Sequence, residues 1–179
     1  MFSTFFLSLA FFSLTVGEAP SEWKADPESW QNTEKSLTLE TLKGKAVLLR
    51  WFTEESCPYC KISAPALNAW YEELASEGLV VVGFYHHKRA GSPHPKLVER
   101  TVRIYGFRFP VAIDSEWATL NAWWLDESRA EDEPLWTSIS VLIGRDGKVA
   151  YIHPGGSYEK GDPDHTKLDA AIRKALASK

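Results

Sequence analysis

The chain has 179 residues, of which 44% are hydrophobic, and its formal net charge is −4. This length fits one domain of ordinary size, which buries enough surface to form a core without disulfide staples. The slight acidity argues against nucleic acid as a partner, because nucleic-acid-binding proteins usually carry a basic excess or stripe. Two cysteines are too few for a disulfide framework, so their placement needs another explanation.

The first 19 residues are predicted to be a signal peptide. Residues 1–16 are uncharged and largely apolar, and small residues follow at Gly17 and Ala19, although no Lys or Arg precedes the run. The run is shorter than the about 20 residues of a membrane span and has the length of an export signal's apolar region. A retained anchor and a buried strand are the alternatives. Cleavage would leave no stable membrane span and place the protein in the bacterial periplasm or outside the cell, where disulfides persist.

The next elements in chain order are an arm over residues 20–35 and one α/β domain over residues 36–179. After a short helical turn at 36–42, strands are predicted at 46–52, 79–85, 109–113, 139–143 and 149–152. Helices are predicted at 57–77, 95–105, 116–124 and 164–179, and a charged loop at 125–134. Strands joined by helices and then a hairpin around Gly144-Arg145-Asp146-Gly147 predict a mixed sheet with helices on both faces.

The tryptophans are mostly expected in the core of this domain. The predicted core members are Trp51, Trp70 and one of Trp123 or Trp124, whereas Trp23 and Trp30 stand isolated in the polar arm. Trp136 precedes the last predicted hairpin and either packs in the core or lines a groove.

The two cysteines, Cys57 and Cys60, form a C-x-x-C motif at the predicted start of a helix. Unpaired N–H groups and the helix dipole stabilise a thiolate there, so Cys57 is predicted to have a lowered pKa and to act as the nucleophile. Cys60 follows one turn later, from where it can resolve a mixed disulfide. Pro58 occupies the first turn, where proline is tolerated.

Structural roles fit this cysteine pair less well. A disulfide across so short a loop gains only about 2 kcal/mol in the chain-entropy model, and a zinc site needs about four ligands. A copper carrier using Cys57, Cys60 and a histidine from His86-His87-Lys88-Arg89 stays open. That basic run follows a predicted parallel strand, which places it on the same rim as Cys57, either to favour a thiolate or merely as a solvated loop.

The segment Cys57-Pro58-Tyr59-Cys60-Lys61-Ile62-Ser63-Ala64-Pro65 resembles the active-site helix of the thioredoxin superfamily. Residues 42–49 and 141–149 are similar to the lead-in and hairpin of its exported, redoxin-like thiol-disulfide oxidoreductases. The resemblance implies a thioredoxin-like three-layer sandwich with a strand–helix insertion and a C-terminal hairpin plus helix. It also implies a monomer without cofactor or metal, whose partners are protein thiols and disulfides and an upstream dithiol reductant or oxidant.

The resemblance further implies a substrate groove beside a cis-proline that precedes the hairpin. The corresponding residue is Ser138, where we expect a trans peptide because a non-proline cis bond costs about 3 kcal/mol. Thr137, Ser138 and Ile139 are the predicted substrate-binding residues, the last two through their main chain.

Two more positions depart from the superfamily pattern. Ser56 stands where a tryptophan often precedes the first cysteine, and Trp51 stands where thioredoxin has a buried carboxylate that shuttles protons. Glu54 or Glu55 either replaces that carboxylate or is a solvated loop charge.

Pro58 and Tyr59 are predicted to tune the redox potential of the cysteine pair. The same dipeptide occurs in glutaredoxins, and by that analogy the potential would lie near roughly −200 mV.

The sequence therefore predicts an extracytoplasmic thiol-disulfide oxidoreductase. A thiol peroxidase of the peroxiredoxin type, with Cys57 as the peroxidatic thiolate and Cys60 as its resolver, is the main alternative.

Overall fold

The computed structural model describes residues 14–89, 91–125 and 136–178. Most of the predicted signal peptide and of the predicted loop at 125–134 therefore lies outside the described residues. Within the described parts, no helix is long and apolar enough to cross a membrane.

Five strands form one mixed sheet, as the sequence predicted. They are β1 (Ala46–Phe52), β2 (Leu79–Tyr85), β3 (Val111–Ile113), β4 (Ser140–Ile143) and β5 (Val149–His153), in the order β3-β2-β1-β4-β5. The pairs β1–β2 and β2–β3 are parallel, and β1–β4 and β4–β5 are antiparallel. β3 begins at Val111 rather than Phe109, since Pro110 has no N–H to donate to a ladder.

Four α-helices connect or follow the strands. They are α1 (Pro58–Leu74), α2 (Pro95–Ile104), α3 (Ala118–Trp123) and α4 (Pro163–Ala177). α3 is shorter than predicted because Glu116 and Trp117 adopt positive φ angles of 53° and 57°, outside the α-helical region. The predicted helical turn at 36–42 forms hydrogen-bonded turns instead of a helix.

Both faces of the sheet are covered, so β1 is buried along its whole length. Ala46, Leu48 and Phe52 pack in a cluster with residues of α1, α2 and α4. The alternate residues Val47, Leu49 and Trp51 pack in a second cluster with α3 and the N-terminal arm. This two-sided burial explains why the strand reads as a continuous apolar run.

The arm is part of the second core, whereas the sequence suggested isolated aromatic residues on it. Trp23 is buried, and its indole N–H donates to the Leu37 carbonyl at 2.9 Å. The Trp23 and Trp30 rings pack edge-on against Phe84, at centroid distances of 5.5 and 6.3 Å. The arm is needed there because α3, with six residues, is too short to cover that face alone.

The described residues before the arm also contact the domain. The N–H of Leu14 donates to the Trp123 carbonyl, and Gly17 and Glu18 pair with the main chain of Val149. Cleavage after Ala19 would remove these contacts.

Candidate active site

Cys57 and Cys60 form a disulfide at the start of α1, with their Cα atoms 5.4 Å apart. Cys57 is the N-cap residue, and its sulfur accepts a hydrogen bond from the Cys60 N–H at 3.2 Å. Cys57 is partly exposed, whereas only 1% of Cys60 is accessible. An incoming thiolate can therefore reach the sulfur of Cys57 but not that of Cys60.

The loop between β1 and α1 holds the first cysteine in place. The Cys57 N–H donates to the Glu54 carbonyl at 2.9 Å, and that carbonyl also accepts from the Tyr105 hydroxyl at 2.9 Å. Pro58 begins the helix, and its missing N–H costs nothing at that position.

A pocket of about 130 Å³ opens beside the Cys57 sulfur. It is lined by Thr53, Cys57, Tyr59, His86, Lys88, Trp136, Thr137 and Ser138. The fold thus brings together the predicted site residues Cys57, Tyr59, Thr137 and Ser138. It adds His86, Lys88 and Trp136, which the sequence placed on the same rim or beside a groove. The side chain of Ile139, whose main chain was predicted to bind substrate, lies in the core on the far face of the sheet, and its carbonyl accepts from the Trp51 N–H at 3.1 Å.

Trp136 borders the pocket beside Cys57 and is not a core residue. Its ring meets the Tyr59 ring edge-on at a centroid distance of 5.2 Å, and each side chain is 38% exposed. The Trp136 carbonyl accepts from the indole N–H of Trp124 at 2.8 Å. This aromatic pair connects the C-x-x-C motif to the segment before β4.

Ser138 has the expected trans peptide, and no described peptide bond is cis. Its hydroxyl accepts from the Gly156 N–H at 3.2 Å, and its carbonyl accepts from the Arg50 guanidinium at 2.5 Å. Side-chain and main-chain hydrogen bonds therefore hold the corner where the superfamily has a proline.

His86 is a buried titratable group on the pocket wall. Its ring is inaccessible to solvent and packs edge-on against Trp117 at 5.2 Å. Neither ring nitrogen has a hydrogen-bond partner of normal geometry, although the Thr137 main chain lies near enough to favour the charged form. Burial, helped by the charges of Lys88 and Arg50, lowers the pKa of His86 to about 3, so the ring is neutral at physiological pH.

The charged loop residues form surface contacts. Glu54 lies 4.0 Å from Arg89, and Glu55 lies 3.0 Å from Arg100. Neither carboxylate lines the pocket, and the exposed Glu55–Arg100 pair contributes little stability.

The described residues contain no group of three His, Cys, Asp or Glu side chains arranged to hold a metal ion. The copper-carrier alternative therefore has no third ligand among them to join the two cysteines.

The sequence did not predict two features of the site. Arg50 lies in an apolar strand, and a charge in such a run is the signal that points to it. The Gly155-Gly156 turn packs against Trp136 and Ser138, which are distant in the sequence, and no local pattern marks this contact.

The fold and the cysteine pair define a member of the thioredoxin superfamily. A family model described as the AhpC/TSA family matches residues 16–152, which is more than half of the chain. The chain belongs to the AhpC/TSA family.

The chain is similar to two kinds of relative, a thiol-disulfide oxidoreductase and a much larger protein. The chain is 32% identical over 153 residues to Protein DipZ of Mycobacterium tuberculosis (strain CDC 1551 / Oshkosh), covering 82% of this chain and 19% of DipZ. It is 30% identical over 127 residues to the thiol-disulfide oxidoreductase ResA of Halalkalibacterium halodurans, covering 70% of this chain and 63% of ResA. The chain thus spans about a fifth of DipZ and less than two thirds of ResA.

Solved structures share the fold. A protein assigned as the thiol:disulfide interchange protein DsbE of Chlorobium tepidum superposes with a TM-score of 0.70 at 21% identity, covering 92% of this chain and 100% of that one. A thiol-disulfide isomerase from Corynebacterium glutamicum gives a TM-score of 0.63 at 19% identity, covering 89% and 97%.

Proposed function

We propose that this protein is a thiol-disulfide oxidoreductase that exchanges disulfides with other proteins through Cys57 and Cys60. The observation that carries the proposal is the unequal exposure of the two cysteines at the start of α1, of which Cys57 lines the pocket and Cys60 is almost fully buried. One sulfur is open to a partner and the other is closed, which is the arrangement that a nucleophile and its resolving thiol require. The names of the ResA and DsbE relatives support the same reaction.

The exchange proceeds in two balanced steps. A substrate thiolate attacks the Cys57 sulfur, the Cys57–Cys60 bond breaks, and the bonding electron pair leaves on Cys60. A second substrate thiolate then attacks the substrate sulfur of the mixed disulfide and displaces Cys57, so the substrate leaves oxidised and the protein dithiol is reduced. In the reverse direction, the Cys57 thiolate attacks a substrate disulfide and Cys60 resolves the product.

The substrate binds across the pocket beside Cys57. Tyr59 and Trp136 present exposed aromatic surface, and Thr137 and Ser138 form the adjoining wall. These contacts suit an extended segment that carries an apolar residue next to its cysteine. Pro58 and Tyr59 stand between the two cysteines in the chain and tune the redox potential of the pair.

Cysteine substitutions test the assignment. Cys57→Ser is expected to abolish insulin reduction with dithiothreitol, since no other described cysteine can start the exchange. Cys60→Ser is expected to accumulate a mixed disulfide, visible as a band on a non-reducing gel that a reductant removes. Circular dichroism of both variants controls for folding, and full insulin reduction by Cys57→Ser would disprove the proposal.

Peroxide reduction is a second candidate, favoured by the small volume of the pocket at Cys57. In that reaction a hydroperoxide oxidises the Cys57 thiolate to a sulfenic acid, releasing water or an alcohol, and Cys60 condenses with it to a disulfide and water. Peroxide consumption that depends on Cys57 and exceeds insulin reduction in rate would favour this candidate.

The working compartment is proposed to lie outside the cytoplasm, as either the periplasm or the exterior. The apolar residues 1–16 and the ResA-type relatives support export. N-terminal sequencing of the protein recovered from an exporting bacterial host, expected to begin at Pro20 or Glu18, tests it.

A further inference from the structure

Arg50 is a buried cation in the middle of β1. Only 1% of the residue is accessible, and its guanidinium donates to the carbonyls of Ser138 at 2.5 Å and Gly156 at 2.8 Å. It also lies 3.4 Å from the Ser140 hydroxyl and 3.5 Å from the Ser63 hydroxyl. All four of these partners are neutral, and no described carboxylate forms an ion pair with Arg50.

The titratable groups around Arg50 carry no charge that would balance it. The Tyr158 ring lies 5.1 Å from the guanidinium carbon, and burial raises the pKa of this phenol. Burial likewise raises the pKa of Tyr105 to about 12 and lowers the pKa values of His86 and His153. The carboxylate of Asp164, which lies 3.7 Å from His153, is half exposed and forms no ion pair with Arg50. A buried cation without an anion is costly, so a negative charge that appears near it is strongly favoured.

Such a charge appears during disulfide exchange. When a thiolate attacks Cys57, the electron pair of the broken bond goes to the Cys60 sulfur, which is almost fully buried. Burial alone disfavours a thiolate and raises a thiol pKa. Ser63 follows Cys60 by one turn on the buried face of α1, and Arg50 reaches Ser63. The guanidinium therefore contacts α1 at the residue one helical turn beyond Cys60, whose sulfur must become negative, on the same buried face of the helix.

We propose that Arg50 is a positioning residue for the exchange reaction, which stabilises the Cys60 thiolate through its charge while its hydrogen bonds fix the Ser138 corner of the groove. This inference rests on the proposed function. The Arg50 guanidinium stabilises the leaving thiolate of Cys60. It acts in place of the buried carboxylate of thioredoxin, whose position is occupied by Trp51 in this chain.

The thiol pKa of Cys60 is the direct test, and it requires no turnover. In a Cys57→Ser background, absorbance at 240 nm against pH reports the Cys60 thiolate alone. With Arg50 present we expect a pKa below the ordinary value of about 8.5 despite burial. Adding Arg50→Met is expected to raise it by at least about one unit. Arg145→Met, which removes a cation at the opposite end of the sheet, is expected to leave it unchanged.

Arg50→Lys distinguishes the effect of the charge from that of the hydrogen bonds, since lysine keeps the positive charge but lacks the several planar N–H donors of the guanidinium. We expect this variant to retain most of the low Cys60 pKa. The reduction potential of Arg50→Met, measured against glutathione at a pH above the Cys60 pKa of both proteins, should favour the disulfide about tenfold more than in the wild type for each unit of pKa shift, which is about 30 mV.

Several outcomes would overturn the proposal. They are an unchanged pKa and potential in a folded Arg50→Met variant, equal changes in the Lys and Met variants, and a Cys60 pKa above about 8.5 with Arg50 present. The last measurement decides the question even if Arg50→Met fails to fold. A failure of the proposed function is distinguishable, because it appears as insulin reduction that persists in Cys57→Ser.

Discussion

At the scale of single residues, the site combines buried polar groups that ordinary cores avoid. Arg50 and His86 both lie within the protein near the disulfide, and both are missing hydrogen bonds at ring or guanidinium nitrogens. Such groups cost free energy in the folded state, so their effect on stability should be measurable through pH.

The burial of His86 is expected to make the folded state less stable in acid. Burial lowers the pKa of His86 from 6.5 to about 3. Between these two pH values the unfolded chain binds a proton at His86 that the folded chain does not bind. The stability that depends on neutral His86 is complete above pH 6.5 and is lost progressively as the pH falls from there towards 3. In His86→Phe the slope of unfolding free energy against pH should decrease by about 1.4 kcal/mol per pH unit in this window.

Urea unfolding between pH 4.5 and 7 measures that slope. Some slope remains in the variant because burial also lowers the pKa of His153. His94→Asn, at the N-cap of α2, keeps a capping side chain and is the control, with the wild-type slope expected. Equal slopes in wild type and His86→Phe would contradict the prediction.

At the scale of elements, the pocket beside Cys57 is formed where two loop segments of the chain meet. The segment before β4 supplies Trp136 and Ser138, and the turn after β5 supplies Gly155 and Gly156. Gly155 has a φ of +133°, and a Cβ there would overlap the Cβ and Cγ atoms of Trp136. The close approach of these two connections therefore depends on glycine at this position.

Gly155→Ala tests this contact. The added methyl group should push Trp136 and Ser138 away from the turn, which lowers the stability by about 2 kcal/mol or more and kcat/KM for insulin reduction several-fold. Gly147→Ala is the matched control: φ is +78° there, and nothing lies within 4 Å of the new Cβ. It should cost only about 1 kcal/mol of backbone strain and leave kcat/KM unchanged. Equal effects of the two variants would show that overlap with Trp136 is unimportant.

At the scale of the whole molecule, one sheet separates two cores of different construction. Helices cover one face, whereas α3 and the arm together cover the other. Residues 14–18 add three main-chain hydrogen bonds, with Trp123 and Val149, to that second face.

Removal of residues 1–19 should therefore leave a folded protein. Each lost hydrogen bond contributes about 1 kcal/mol net, and the entropy of ordering the segment offsets much of this. We expect the unfolding free energy of residues 20–179 to differ from that of the full chain by less than about 2 kcal/mol, which is at most about 8 °C in Tm. Calorimetry of the two chains measures the difference. Failure of the shorter chain to fold would argue against cleavage after Ala19.

Much of the fold was predictable because its signals are local. The apolar runs of β1 and β2 and the start of α1 at Pro58 follow from the residues within each element, and the predicted bounds of both strands match the structure. The C-x-x-C pair at a helix start was equally visible, since Cys57 and Cys60 lie within one turn.

The sequence by itself determined the strand–helix order, the mixed sheet and the two cysteines, because periodicity and motif spacing act over a few residues. Only the tertiary structure decided which distant residues surround them. Arg50 meets Ser138 and Gly156 across 88 and 106 positions, and Trp136 meets Tyr59 and Gly155. It also decided that Ile139 lies in the core on the far face, while Thr137 and Ser138 face the pocket. Such contacts depend on how connections pack at one end of the sheet, and no local pattern encodes that packing.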